Sequence, residues 1–184
     1  MRWLRSFLLV MLVPLAGCSL SGRPATYEVD VKGPYQLDTG DVVRVLVYGD
    51  EALSKSYRVD DSGKVALPLV GPISVRGRTT ETASARISAA LANGFMRNPN
   101  VSVEVEQYRP FFIQGEIKTA GQFTYVYGMT VRAAISTAGG YTETADRGSA
   151  LVYHRRGNEM VKSKVDLDFP IYPGDTIVIL ERWI

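Results

Sequence analysis

One short run of residues is arranged for covalent chemistry. Leu15-Ala16-Gly17-Cys18 places the only cysteine of the chain behind two small residues. They close an uncharged, mostly apolar stretch from Phe7 to Leu15, which follows the positive Arg2 and Arg5. That order is a bacterial secretory signal peptide. Its end resembles a lipobox, in which the cysteine thiol takes a diacylglyceryl group, cleavage frees the cysteine amine, and the amine is acylated in turn. Several acyl chains hold a protein to a bilayer where one would be marginal, because each buried CH₂ contributes about 0.8 kcal/mol. The competing reading is a plain signal peptide with a coincidental cysteine. Ser19 follows the cysteine, and serine there favours the outer membrane where aspartate would favour retention in the inner one.

No catalytic set accompanies it. The sequence holds no HExxH, no phosphate loop, no paired cysteine and no defensible Ser-His-Asp order. Asp60 and Asp61 are adjacent, so on a strand they would point to opposite faces. Ser62-Gly63 behind them makes a turn the better reading. Glu104 and Glu106 share the solvated face of an alternating strand. Asp41 and Asp175 each follow a glycine and precede a β-branched strand, Gly40-Asp41-Val42-Val43 and Gly174-Asp175-Thr176-Ile177. Both aspartates are expected to bond nearby backbone amides in turns. His154-Arg155-Arg156 with Gly157-Asn158 reads as a basic hairpin tip, which could touch a polyanion but is more often simply solvated. The ten tyrosines could stack on sugars or form interfaces, or could be strand core; none is assigned to a ligand.

Bulk properties narrow the function classes. Loss of residues 1–17 removes Arg2 and Arg5 and no acid, leaving 19 basic and 19 acidic residues and no net charge. This argues against a nucleic-acid binder working through charge. With no thiol beyond Cys18 and a single histidine, neither an internal disulfide nor a cysteine- or histidine-based metal cluster is expected, and no cofactor is implied. No later apolar run reaches the roughly 20 residues of a membrane-spanning helix.

The elements that must position these residues are mostly strands. Ser19 to about Lys32 reads as a tether. Strands are expected at 42–48, at 57–59 returning as a hairpin through Asp60–Gly63 to 64–67, and at 73–75 after a Gly71-Pro72 turn. Thr79 caps a helix that runs to about Phe95, with Ala83, Ile87, Ala90 and Leu91 inward; Gly94 weakens it and Asn98-Pro99 stops it. Val101–Glu106 alternates strictly as a half-buried strand. Arg109-Pro110 is the expected seam between two domains. Beyond it come strands at 111–113 and 122–126 around a Gly115 to Gly121 connection. A short helix follows over 130–138, ended by Gly139-Gly140, and then strands at 150–154, 160–165 and 176–180.

Taken in order, these motifs resemble the outer-membrane polysaccharide export lipoproteins of the Wza type. Tyr35-Gln36-Leu37-Asp38-Thr39-Gly40-Asp41 is similar to the family's opening Tyr-x-Leu-x-x-Gly-Asp. Val59 to Gly71 fits its Val-x-x-x-Gly-x-x-x-Leu-Pro-x-x-Gly block, Gly77-Arg78-Thr79 the entry to its helix, and Pro99 to Val103 the strand after it. The second half resembles a soluble-ligand-binding β-grasp (SLBB) domain. Gly115-Glu116-Ile117-Lys118-Thr119-Ala120-Gly121 is similar to its Gly-x-Val-x-x-Pro-Gly turn, with alanine in place of proline. Thr130–Ile135, Ala138–Gly140 and Pro173–Ile177 match its helix, cap and closing strand. The resemblance runs from Tyr35 to Arg182.

It implies an α+β chain of two small β-rich domains, the second β-grasp-like. Residues 1–17 would be the signal peptide, 18–34 the lipidated tether, 35–108 the polysaccharide export domain and 109–184 the SLBB domain. Cys18 would be the lipidation site; Gly40, Asp41, Gly63, Gly71, Gly115, Gly121, Gly139, Gly140, Gly174 and Asp175 would be structural turns and caps. The implied function is export of capsular or extracellular polysaccharide by a ring-shaped homo-oligomer without enzymatic activity. Its lipid anchor would hold it at the outer membrane, facing the periplasm. The implied partners are the polysaccharide and an inner-membrane polysaccharide co-polymerase. Longer members add domains and a pore-lining helix. A chain stopping near its last strand is expected to need a separate outer-membrane component. The alternatives are a monomeric sugar-binding or adhesin lipoprotein and a DNA-uptake module, which the neutral charge disfavours.

Overall fold

The computed structural model describes residues 33–156 and 159–183, so Cys18, the signal segment and most of the tether lie outside the described residues. The chain is mixed α+β. Its buried residues form two clusters, one between Leu37 and Val103 and one between Phe111 and Ile179.

The first cluster is built on alternation. β1 (Val42–Val47) buries Val43, Val45 and Val47 and exposes Arg44 and Leu46. It pairs antiparallel with β2 (Ser56–Arg58) on one side and β5 (Val101–Gln107) on the other. On β5, Val103 is buried while Ser102, Glu104 and Glu106 face solvent, the two-residue period of a half-buried strand. α1 (Thr80–Ala92) lays Ala83, Ile87 and Leu91 onto this sheet. The Thr79 side chain accepts from the Thr82 amide at its start, satisfying one of the four orphan donors of the first turn. The register of β1 against β5 slips where Val42 faces Gln107 but Val43 faces Val105. This bulge at Glu106 turns β5 out of the sheet just before residue 108.

Two expectations in this half are corrected. The 57–59 and 64–67 segments do not form a hairpin ladder. β3 (Lys64–Leu67) pairs with β4 (Gly71–Ser74) in a separate two-stranded sheet. Asp60 still closes a tight turn, its carboxylate accepting from the Lys64 amide at 2.8 Å and the Ser62 hydroxyl at 2.7 Å. These bonds hold the Asp60 carboxyl below the usual range. The helix also ends earlier than Asn98-Pro99. Gly94 takes φ +95°, and the Phe95 and Met96 amides turn back onto the Leu91 carbonyl, so a left-handed glycine ends it before any proline is met.

The second cluster lies under a five-stranded mixed sheet. β6 (Phe111–Gly115), β7 (Gly121–Phe123), β8 (Ala150–Arg156), β9 (Glu159–Val165) and β10 (Thr176–Ile179) are ordered β7-β6-β10-β8-β9. Only β6 and β10 are parallel. The first and last strands therefore meet at the centre, with the Phe111, Ile113, Ile177 and Ile179 side chains buried between them and α2 (Val131–Thr137). β7 is shorter than expected and ends at Phe123; Tyr125 leaves the strand to bury its ring in the core. Thr130 caps α2 by accepting from the Ala133 amide.

At the other end of α2, the Gly139 amide reaches Ser136 and the Gly140 amide reaches Ile135, with φ of +83° and +89°. A side chain at Gly140 meets nothing within 4 Å, and one at Gly139 makes only ordinary contacts, so the cost of replacing either is backbone strain. Gly139→Val and Gly140→Val are each expected to lower unfolding stability by about 1 kcal/mol or more, read as a shifted urea midpoint. An unchanged midpoint in both variants would show that neither position carries backbone strain.

Candidate functional site

The two Gly-Asp segments that echo each other in sequence fold into the same turn and face each other across the chain between the two cores. In the first, the Asp38 amide donates to the Asp41 carboxylate at 2.9 Å and the Asp41 amide to the Asp38 carbonyl at 3.2 Å. In the second, the Tyr172 amide donates to the Asp175 carboxylate at 2.8 Å and the Asp175 amide to the Tyr172 carbonyl at 3.1 Å. Both aspartates are buried, at 0% and 1% exposure, and so are Leu37 and Ile171 at the equivalent position before each turn.

Arg109 threads between the turns. Its amide donates to Asp41 Oδ1 at 2.9 Å, and its Nη1 lies 2.8 Å from the Tyr35 hydroxyl and 3.4 Å from Asp41 Oδ2. The Tyr35 hydroxyl donates to the same carboxylate oxygen at 2.7 Å. A Cβ at Gly174 would stand 2.9 Å from Arg109 Nε, and one at Gly40 3.5 Å from Arg109 Cβ. Gly174 therefore leaves the room that the arginine fills, while a side chain at Gly40 would only touch it. The backbone is tied on the other side as well: the Gly174 amide donates to the Pro110 carbonyl at 3.0 Å and the Phe112 amide to the Asp175 carbonyl at 2.8 Å.

An aromatic ladder runs alongside. Tyr35, from the first cluster, meets Tyr108 edge-to-face at 4.8 Å, and Tyr108 meets Tyr125, in the second cluster, edge-to-face at 5.4 Å, a favoured geometry for ring quadrupoles. Burial outweighs the nearby Arg109 guanidinium and pushes the Tyr35 phenol up, so it stays a neutral donor to Asp41. This assembly buries its carboxylates and spends their lone pairs on fixed donors. It holds two cores in one orientation.

His154 is placed differently from the solvated hairpin tip read in the sequence. Its ring is half-buried, with Nδ1 2.6 Å from Asp175 Oδ1 and the Tyr172 ring 5.5 Å away. Arg155 and Arg156 are exposed, and Gly157-Asn158 lie outside the described residues. Gly40, Gly63, Gly71, Gly115, Gly121, Gly139, Gly140 and Gly174 all have positive φ. Gly40, Asp41, Gly174 and Asp175 come together at the junction; Gly115 lies within the β6–β10 pair, Gly71 and Gly121 are not at turns but open β4 and β7, paired with Leu67 and Ile113, and Gly63, Gly139 and Gly140 sit at separate turns. Among the described residues, no group of three or more His, Cys, Asp or Glu could hold a metal ion. No described helix is long and apolar enough to cross a membrane. Sequence reasoning marked Arg109 only as a seam and assigned Tyr35 no role.

Comparison with known proteins agrees with this two-part build. Residues 29–106 match the family model described as polysaccharide biosynthesis/export protein, and residues 110–163 match the SLBB domain. The chain carries a polysaccharide export domain followed by an SLBB domain. Its relatives include the exopolysaccharide production protein ExoF of Rhizobium meliloti (strain 1021), 37% identical over 53% of this chain and 23% of that protein. The EPS I polysaccharide export outer membrane protein EpsA of Ralstonia solanacearum is 28% identical over 71% of this chain and 41% of its own length. The polysialic acid transport protein KpsD of Escherichia coli is 28% identical over 80% of this chain and 28% of its own. The chain thus spans between about a quarter and two fifths of these relatives.

Proposed function

We propose that the protein is an outer-membrane lipoprotein, facing the periplasm, that forms part of a conduit exporting capsular or extracellular polysaccharide. The observation that carries this reading is the export domain and the SLBB domain in that order, in a chain whose relatives are named for exopolysaccharide production, polysaccharide export and polysialic acid transport. The clamp around Arg109 supports it, since a conduit built from repeated subunits needs its two domains held at one angle.

In this reading residues 1–17 are removed, Cys18 carries the acyl chains, 18–34 is the tether, and the domains are 35–108 and 109–184. The subunits assemble as a ring against an inner-membrane co-polymerase. The protein needs no catalytic step and no cofactor, because moving a hydrated polymer through a lumen requires walls and contacts and breaks no bond. Cys18→Ser is expected to leave the protein soluble in the periplasm or uncleaved in the inner membrane on cell fractionation. Normal outer-membrane fractionation of that variant would contradict the anchor. Imaging of detergent-extracted particles is expected to show rings, with or without the co-polymerase added; monomers under both conditions would favour a sugar-binding lipoprotein.

A further inference from the structure

We propose that the open face of the five-stranded sheet binds an anionic stretch of polysaccharide. This rests on the export reading and adds the chemical class of the polymer and the surface that meets it.

The face is defined by register. Across the sheet, Phe112 on β6 pairs with Thr176 on β10, Thr176 with Tyr153 on β8, and Tyr153 with Lys162 on β9. Paired residues share a face, and their neighbours along each strand point the other way. The opposite face carries Phe111, Ile113, Val152, Ser163 and Ile177, all buried, the four apolar ones in one cluster with Val131, Ala134 and Ile135 of α2. The Phe112 row is not covered: Phe112 is 43% exposed, Lys162 is exposed, and Tyr153 and Thr176 are half-buried. The next row places Gln114, Val178, Leu151 and Lys164 side by side, and Arg155 extends the face towards the hairpin end.

Its chemistry is one-sided. Every strand position on this face is neutral or basic, and the cations Arg155, Lys162 and Lys164 gather on β8 and β9. Elsewhere the chain is balanced, with 21 basic and 19 acidic residues in all, so a face free of acids is a local feature. The carboxylate that acts on Lys164, Asp146, sits in the loop before β8, held by the Gly148 amide and the Ser149 hydroxyl. The Lys162 ammonium lies over the Tyr153 ring, 5.7 Å from its centroid, which places a cation at the rim of an aromatic surface.

An acidic sugar polymer fits these three properties together. Ring faces such as Phe112 and Tyr153 pack against sugar C–H surfaces. Gln114 and Thr176 offer hydrogen bonds to hydroxyls between them. Lysines and an arginine in a line meet carboxylates spaced along a chain. A protein partner would call for an apolar centre depleted of charge, and a membrane would call for a wholly apolar face; here Val178 and Leu151 adjoin, but Gln114 and Thr176 interrupt the surface beside them and Lys162, Lys164 and Arg155 border it.

The test uses the full-length, lipidated protein in detergent and isothermal titration. The probes are oligogalacturonate long enough to cross the five strands, about 20 Å, neutral dextran of equal length, and polyglutamate. Oligogalacturonate is expected to bind with an affinity that falls as salt rises. Lys162→Gln with Lys164→Gln is expected to weaken it by about tenfold or more with an unchanged melting curve, since both side chains are exposed. Tyr153→Ala is expected to weaken it at high salt too. Failure of oligogalacturonate to bind, equal binding of dextran or polyglutamate, or full binding by the lysine double variant would each overturn the assignment. None of these results touches the export reading, which is tested separately by deletion and complementation in cells.

Discussion

Asp41→Ala is expected to cost about 3–5 kcal/mol, a large share of the 5–15 kcal/mol that holds a typical domain folded. The carboxylate is fully buried and serves four donors: the Tyr35 hydroxyl, the Asp38 amide, the Arg109 amide and the Arg109 guanidinium. Removing it takes the nearer counter-charge from the half-buried Arg109 guanidinium, which keeps only Asp38 at 3.7 Å, and leaves two backbone amides without acceptors, each with its own desolvation penalty. Arg109→Ala should cost less, because Asp41 then keeps the phenol and both amides. The double variant should fall well short of the sum of the two, since the groups form one network. Urea unfolding of the four proteins measures this. Additive losses, or a cost for Asp41→Ala below about 1 kcal/mol, the size of one ordinary hydrogen bond, would mean that the junction is not clamped as described.

The second large effect is expected at Gly115→Ala. Gly115 has φ +91°, and a Cβ built there would lie 2.1 Å from the Ile179 carbonyl oxygen. That oxygen accepts from the Glu116 amide at 2.9 Å, so it belongs to the parallel pairing at the centre of the sheet. Backbone cannot move aside there without parting β6 from β10. The substitution is expected to cost more than about 3 kcal/mol, through strain in the left-handed region together with overpacking. Gly128→Ala is the matched control: φ is +83°, but nothing lies within 4 Å of the added methyl, so only about 1 kcal/mol is expected. Hydrogen exchange on both variants should show early opening of β6 and β10 in Gly115→Ala alone. Equal effects of the two would show that the close approach to Ile179 is relieved without cost.

What was legible in the sequence was local. Thr79 announced its helix because a cap needs only an oxygen three residues from an amide. Val101 to Glu106 declared its two faces by alternation alone. The Gly-Asp echo was visible as two turns because both the glycine and the aspartate act within five residues. Partner choice was not legible. Whether 64–67 pairs backward with 56–58 or forward with 71–74 depends on which sheet β1 completes, and turn chemistry at Asp60–Gly63 fits either. His154 looked like part of a charged tip because its partner is 21 residues away. The histidine reaches Asp175 only because β8 and β10 pair with Tyr153 opposite Thr176. Arg109 gave no local sign at all: its position is set by two turns whose separation in space no spacing reveals.

The most direct measurement is the amount of polysaccharide on and outside cells that lack this protein. Deletion of its gene is expected to abolish surface and released polymer while polymer accumulates inside the cell envelope, and the wild-type chain should restore export when supplied again. Wild-type levels of surface polysaccharide in the deletion strain, with no retained polymer, would contradict the account.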